Sequence, residues 1–172
     1  MLVLASGRGE RFLASGGTTH KLRALLAGKP VLEHVLDAVR ASGLPWHLED
    51  AGHPGMGDSI AAAVRTTQDA NGWLILPGDL PLIQSATLCL LADALGQCNV
   101  VIPVCNGQRG HPVGFSAACR DALLNLKGAH GAAPVMREHQ LTEISVTDTG
   151  TVTDIDTVQD LQHAQALIEA RQ

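Results

Sequence analysis

Short apolar runs alternate along the chain with stretches whose apolar residues recur at helical spacing. Residues 2–5, 73–76 and 100–104 are apolar throughout, which is typical of strands buried on both faces of a parallel sheet. The first two runs each lead into a glycine-containing turn and then into an amphipathic segment. This alternation of strand and helix predicts an α/β fold with a mostly parallel sheet.

The helices are predicted from apolar positions on one face and from their start and stop residues. Pro30 opens the first helix and Gly43 ends it. Ser85 is the expected N-cap of the third, and Thr157 with Asp160 forms a capping box before the last. The predicted helices cover residues 30–43, 57–67, 85–95, 117–127, 131–139 and the segment after 157.

Further strands are predicted where the pattern is shorter. Residues 46–49 form a weak strand candidate, and residues 142–146 form a late one. Asn106-Gly107 stands between the apolar run 100–104 and residues 111–116, which is a strong hairpin signal.

Length, net charge and composition limit the kinds of protein to which this chain can belong. At 172 residues and 18.0 kDa, the chain fits one domain, taken as residues 1–172. The net charge of −5 shows no basic excess, so a nucleic-acid partner is not expected. The sequence has no signal peptide pattern and no apolar run of about 20 residues, so we expect a cytoplasmic protein that does not enter the membrane.

The first candidate site follows the first strand. Leu4-Ala5-Ser6-Gly7-Arg8-Gly9-Glu10-Arg11-Phe12 contains two glycines that let backbone N–H groups approach phosphate oxygens, and Arg11 with Lys21 would supply positive charge. Phe12 stands where the dinucleotide-binding fingerprint needs a third glycine, and no Gly-Lys-Ser/Thr completes a Walker A loop. A flexible surface loop with two solvated cations is the alternative.

Two acidic segments contain the candidate metal ligands. Asp79 follows the strand 73–76 and stands in Pro77-Gly78-Asp79-Leu80-Pro81, a position suited to Mg²⁺, which prefers carboxylate and phosphate oxygens. In Asp154-Ile155-Asp156 an extended backbone would point both carboxylates to one side, so one of them could share the metal with Asp79. The structural alternatives are a turn or cap at Asp79 and a helix-start carboxylate at Asp156.

Two glycine-containing segments complete the set. Gly55-Met56-Gly57-Asp58-Ser59 opens a helix whose N–H groups and Ser59 hydroxyl could bind ribose, base or phosphate, although Asp58 or Ser59 would serve equally as an ordinary N-cap. Arg109-Gly110-His111-Pro112-Val113-Gly114-Phe115 contains an arginine, a flexible glycine and a histidine before a strand. The remaining histidines, His20 and His53 among them, are assigned no functional role.

In this order and at these intervals, the segments resemble those of the MobA-like nucleotidyltransferases, and most closely their molybdenum cofactor cytidylyltransferase branch. The likeness covers nearly the whole chain and includes residues 154–160. The segment 109–115 is similar to that of the cytidylyltransferases, and CTP is therefore favoured as the triphosphate.

The resemblance implies a Rossmann-like fold with helices on both faces and an enzyme that transfers CMP from CTP to a phosphorylated acceptor, such as molybdopterin, with release of pyrophosphate. Arg11, Lys21 and Asp79 would be catalytic, and Asp79 with Asp156 would hold Mg²⁺. Gly110 and His111 would face the acceptor, and a molybdoenzyme would be the protein partner. The implied nucleotide-binding residues are Leu4, Ala5, Gly7, Gly9, Gly57, Ser59, Pro77 and Gly78.

The chain also departs from the family pattern. Residues 43–57 are too short for the strand, helix and strand that the family usually has there, so about one βα unit is expected to be missing. The loop between Arg11 and Lys21 is longer than usual. The missing unit keeps open a non-catalytic chaperone that binds cofactor or nucleotide, and a sugar- or alditol-phosphate nucleotidyltransferase is a second alternative.

Overall fold

The computed structural model describes residues 1–170, which form one large mixed sheet with helices around it. The strands are β1 (Leu2–Leu4), β2 (Leu25–Leu26), β3 (Lys29–Pro30), β4 (His47–Glu49), β5 (Gly72–Pro77), β6 (Val100–Cys105), β7 (Gln108–Arg109), β8 (Val113–Ser116) and β9 (Leu141–Val146). The helices are α1 (Glu10–Ala14), α2 (Val31–Ser42), α3 (Met56–Thr66), α4 (Ser85–Leu95), α5 (Arg120–Leu124), α6 (Ala133–Glu138) and α7 (Val158–Glu169). Single 3₁₀ turns cover Lys21–Arg23, Ala117–Cys119 and Thr149–Thr151.

The large sheet has the strand order β4-β1-β5-β8-β6-β7, and β9 pairs with β6. β1 runs parallel to β4 and β5, and β9 runs parallel to β6, whereas β7 and β8 are antiparallel to their neighbours. The prediction of a Rossmann-like, mostly parallel sheet is confirmed. β2 and β3 form a separate two-stranded hairpin.

Helices cover both faces of the sheet because successive strand residues point to opposite sides. Leu2 and Leu4 pack with the buried face of α3 and with α5, whereas Val3 between them packs with α2 and α4. α7 packs against the β2-β3 hairpin and α1. Phe12 of α1 and Ile155, which precedes α7, are buried between these elements. None of the helices in residues 1–170 combines the length and the apolar character that a membrane span requires.

Most predicted elements are confirmed, with corrections at their ends. Gln84, and not Ser85, is the N-cap of α4. The predicted helix 117–127 is a 3₁₀ turn followed by the short α5, and the predicted helix 131–139 is reduced to α6. The Asn106-Gly107 turn has positive φ at both residues, as the hairpin signal requires, but the strand that it joins to β6 is β7. The predicted partner, residues 111–116, is β8, which begins at Val113 and also pairs with β6.

The N-terminus of α4 depends on a buried carboxylate from another part of the chain. Asp148 is 4% exposed and accepts hydrogen bonds from Gln84 N–H at 2.9 Å and Thr87 Oγ1 at 2.8 Å. It also accepts the Gly150 N–H at 2.9 Å, so one side chain satisfies donors on two elements. A negative charge at this end of a helix is further favoured by the helix dipole.

We expect Asp148→Ala to lower the free energy of unfolding by roughly 2 to 4 kcal/mol, because three donors lose their acceptor in a buried place. Denaturant titration measures this change. Asp93→Ala, at an exposed position on α4, is the matched control and should change stability little. Equal stability of the two variants would show that the Asp148 hydrogen bonds do not support the fold.

Candidate functional site

The predicted site residues meet at one edge of the sheet. Leu4 is paired in register with Glu49 of β4 and with Pro77 of β5, so the carboxyl ends of these three parallel strands lie side by side. The glycine loop starts after Leu4, and Gly78-Asp79 starts after Pro77. Ligands of open α/β sheets bind at this edge because the loops that leave the strands there diverge and form a crevice.

Asp156 reaches the same place through a backbone contact. The Ile155 N–H donates to the Asp79 carbonyl oxygen at 2.9 Å, which fixes the segment before α7 against the end of β5. Thr157 then caps α7 in the predicted capping box with Asp160. The two distant carboxylates are therefore brought together, as the sequence predicts.

Lys21 lies between these two carboxylates. Its Nζ donates to Asp79 Oδ2 at 2.6 Å and to Asp156 Oδ1 at 2.8 Å, and Arg11 forms a further ion pair with Asp156. Burial alone would lower the pKa of Lys21, but the attraction of Asp79 and the hydrogen bonds to both carboxylates outweigh it and raise the pKa. The ammonium is therefore charged at neutral pH.

The carboxylate pair fits a divalent cation. Asp79 Oδ1 is buried and has no hydrogen-bond partner, so one oxygen of this side chain is free to bind a ligand. Within residues 1–170, no group of three or more histidine, cysteine, aspartate or glutamate side chains could hold a metal ion by itself. A cation at Asp79 and Asp156 would thus take its remaining ligands from phosphate oxygens and water, as Mg²⁺ usually does in proteins.

Two neighbouring clefts meet at these charged residues. The first, of about 480 Å³, is lined by the glycine loop, the start of α3 and the end of β5. The second, of about 380 Å³, extends along Arg109-Gly110-His111 and the segment from Thr151 to Asp156. Arg11, Lys21, Asp79 and Asp156 line both clefts, and so stand at the boundary between them.

Most predicted nucleotide-binding residues line the first cleft, but two of them do not. The lining includes Leu4, Gly7, Gly9, Ser59, Pro77 and Gly78. The Ala5 N–H donates to the Glu49 carbonyl, and the buried Gly57 donates its N–H to the Gly128 carbonyl at 2.8 Å. A Cβ at Gly57 would lie 2.9 Å from the Lys127 backbone, so close packing is sufficient reason for this glycine.

The two predicted acceptor residues, Gly110 and His111, line the second cleft. A Cβ at Gly110 would come within 2.4 Å of the Thr151 carbonyl oxygen, so only glycine fits this turn. Part of the His111 residue is exposed to solvent, but its imidazole is surrounded by protein, and this desolvation lowers its pKa. The nearby carboxylates of Asp79 and Asp154 act in the opposite direction. Burial raises the pKa of Asp154, and the carboxylates of Asp79 and Asp156 raise it further.

Sequence reasoning missed three side chains at the site. His20, which was assigned no role, accepts the Leu22 N–H and also bonds through Nε2 to the Gly7 carbonyl at 2.7 Å, so it joins the Lys21 turn to the glycine loop. His53 lines the first cleft, with its Nε2 3.0 Å from Glu49 Oε1. Adjacency to Lys21 is the one signal that could have indicated His20.

Glu49 ends β4 as a buried carboxylate. Burial raises its pKa, but the hydrogen bonds from His53 and the Ala51 N–H, together with the His47 ring 3.5 Å away, outweigh burial and lower the pKa below its ordinary value. The weak strand pattern of residues 46–49 gave no indication of this cluster.

The fold and the site define an α/β protein with a Rossmann-like sheet, in which a glycine-containing loop lies beside paired carboxylates. The model of the family described as "MobA-like NTP transferase domain" matches residues 38–144. The chain belongs to this family, which confirms the predicted resemblance to the MobA-like nucleotidyltransferases. The matched residues include Asp79 and the segment 109–115, but neither the glycine loop nor Asp156.

Among proteins of known sequence, the chain is 30% identical over 145 residues to the bifunctional protein GlmU of Azoarcus sp. (strain BH72). This similarity covers 71% of the chain and 31% of the relative. The chain therefore spans about a third of the length of the curated relatives that it matches.

Solved structures match over nearly the full length. A nucleotidyl transferase from Methanothermobacter thermautotroptrophicus superposes with a TM-score of 0.83 at 19% identity, covering 99% of this chain and 97% of the other. Rv0371c from Mycobacterium tuberculosis in complex with manganese gives 0.76 at 21% identity with 96% of each chain covered. Molybdopterin-guanine dinucleotide biosynthesis protein A from Archaeoglobus fulgidus gives 0.70 at 18% identity with 98% of each covered.

The segment between α2 and α3 is short, as the sequence predicts. It contains a single strand, β4, which forms one edge of the large sheet, and no further helix or strand precedes α3.

Proposed function

We propose that the protein transfers a nucleotide from a nucleoside triphosphate to a phosphorylated acceptor and releases pyrophosphate. One observation carries the proposal: Lys21, Asp79 and Asp156 converge within hydrogen-bond distance at the boundary of two clefts. The first cleft suits the triphosphate, and the second suits the acceptor. The α-phosphorus would then lie at the boundary, where the two substrates must meet.

The reaction is an in-line displacement at the α-phosphorus. An acceptor phosphate oxygen forms the new P–O bond as the bond to the β-phosphate oxygen breaks, and pyrophosphate carries away that electron pair. Both reactants are anions, so the protein has to place positive charge where they approach. Lys21 and Arg11 supply that charge at the boundary, and the backbone N–H groups of the glycine loop bind the β- and γ-phosphates.

Asp79 and Asp156 are the residues that would hold a divalent cation, which we propose to be Mg²⁺. When bound there, it would neutralise phosphate charge and increase the electrophilicity of the α-phosphorus. The buried and unpartnered Asp79 Oδ1 supports this assignment. A manganese complex exists for a protein of the same fold, Rv0371c.

The finer assignment is CMP transfer from CTP to molybdopterin. It is supported by the resemblance of segment 109–115 to the cytidylyltransferases and by the position of Gly110 and His111 in the second cleft. Transfer to a sugar or alditol phosphate is the second candidate, because the 4-diphosphocytidyl-2C-methyl-D-erythritol synthase of Anaerococcus prevotii has a similar fold. A non-catalytic chaperone is the third, but it would not need paired carboxylates beside a phosphate-binding lysine.

Pyrophosphate release measured with each triphosphate and each acceptor separates these candidates. We expect pyrophosphate release only when CTP, Mg²⁺ and a phosphorylated pterin are all present. In the presence of Mg²⁺, CTP should also raise the melting temperature of the protein more than GTP does. Equal stabilisation by the two nucleotides would remove the preference for CTP. Nucleotide binding without pyrophosphate release from any acceptor would favour the chaperone and contradict the proposed function.

A further inference from the structure

The ammonium of Lys21 occupies the space between the two carboxylates that we assign to the metal. Its Nζ bonds to one oxygen of each, at 2.6 Å to Asp79 and 2.8 Å to Asp156, and its side chain is only 13% exposed. With Arg11, which pairs with Asp156, the cluster contains two carboxylates and two cations. Its charge is therefore balanced without a metal ion.

A metal ion and the ammonium cannot both use this position. Mg²⁺ needs nearly ideal octahedral geometry with ligand bonds of roughly 2 Å. Asp79 Oδ1 is free, but both oxygens of Asp156 are engaged, Oδ1 by Lys21 and Oδ2 by Arg11. A metal ion that bridges the two carboxylates therefore has to take an oxygen that a cation now engages. A divalent cation added while Lys21 stayed in place would also leave an excess of positive charge. One of the two cations has to leave before the other can bind.

Building on the proposed function, we propose that Lys21 is an internal counter-ion that competes with the divalent cation for Asp79 and Asp156, and that the triphosphate releases it. The phosphate oxygens would offer the ammonium a second anion. Lys21 would thereby change partner from the carboxylates to the phosphate as the metal enters between them.

The local structure allows this change without a change of fold. Lys21 begins a single 3₁₀ turn, and the N-cap of that turn, His20, bonds to the Gly7 carbonyl of the glycine loop. The loop that would bind the phosphates and the turn that carries the lysine are therefore joined. The flexible four-carbon stem of lysine can move the ammonium while the backbone stays in place.

The consequence is positive coupling between metal and triphosphate. Metal ions can bind only those free protein molecules in which Lys21 has left the carboxylates. Because these molecules are a minority, the apparent metal affinity of the free protein is low. Triphosphate raises the metal affinity by removing the lysine, and the metal raises the triphosphate affinity by the same factor.

Binding of Mn²⁺ alone, followed by water proton relaxation, tests this inference without any enzymatic turnover. We expect Lys21→Met to bind Mn²⁺ about tenfold more tightly than the wild type, or better, because the competing ammonium is gone. Lys29→Met is the matched control, since Lys29 forms a surface ion pair with Asp37 outside the two clefts. It removes the same charge and should leave Mn²⁺ binding close to the wild-type value.

Two further variants keep the result interpretable. Lys21→Gln, which also lacks the charge, should show the same gain if Lys21→Met does not fold by circular dichroism. Adding Asp79→Asn to either variant should abolish the gain, which would locate the bound Mn²⁺ at the carboxylates.

Two outcomes would overturn the inference, and they differ in what they say of the proposed function. If the wild type binds Mn²⁺ with CTP but the Lys21 variants bind Mn²⁺ alone no more tightly than the wild type, the competition is wrong and the metal assignment stands. If no variant binds Mn²⁺ with or without CTP, the metal assignment fails and the inference fails with it.

Discussion

Asp79→Asn is expected to lower pyrophosphate release by about a thousandfold or more while leaving the fold intact. The substitution keeps the size of the side chain but removes its negative charge and one of its two acceptor oxygens. The negative charge is shared by Oδ1, which has no hydrogen-bond partner, and Oδ2, which bonds to Lys21. Its loss therefore weakens the binding of both the metal ion and the lysine.

Turnover with CTP and an acceptor measures this loss, and far-ultraviolet circular dichroism checks the fold. Asp69→Asn makes the same chemical change at an exposed position and should retain the wild-type rate. Near-normal pyrophosphate release from Asp79→Asn would refute the assignment of Asp79 as a metal ligand.

Lys21→Met is expected to lower kcat by about a hundredfold to a thousandfold, with a smaller increase in KM for the triphosphate. The charge of Lys21 is needed most where negative charge builds up at the α-phosphate, so its loss affects the transition state more than the bound substrate. The same variant should bind Mn²⁺ alone more tightly, so its metal affinity and its activity should change in opposite directions.

Steady-state kinetics over a range of triphosphate concentrations separates kcat from KM. Lys29→Met is the control, because Lys29 forms a surface ion pair with Asp37 outside the two clefts. A large increase in KM at unchanged kcat would mean that Lys21 stabilises the bound triphosphate and the transition state equally, and would contradict the catalytic role of Lys21.

The fold was largely predictable where apolar residues are continuous or periodic. β5, β6, α2 and α7 fall close to their predicted positions because burial on one or both faces fixes their residue pattern. α1 and the β2-β3 hairpin were not predicted. α1 has five residues and each hairpin strand has two, and such short elements show no periodic pattern of apolar residues. At the start of α1, Gly9 takes φ +66°, a conformation that glycine adopts readily and that no periodicity reveals.

The composition of the site was predictable, but its internal contacts were not. Asp79 and Asp156 stand beside elements that the pattern identifies, so their meeting at one sheet edge follows from the topology. The bridge from Lys21 to both of them depends on how the irregular segment 15–20, between α1 and Lys21, folds back, which single-sequence patterns do not encode. Glu49 and His53 were missed because each is a polar residue in a segment with a weak pattern.

A crystal structure with Mn²⁺ and a non-hydrolysable CTP analogue would show directly whether Asp79 and Asp156 form the metal site. We predict anomalous density for one metal ion, roughly 2 Å from a carboxylate oxygen of Asp79 and from one of Asp156, with Lys21 turned to the α-phosphate. A metal ion bound elsewhere, with Lys21 still bridging the two carboxylates, would contradict this prediction.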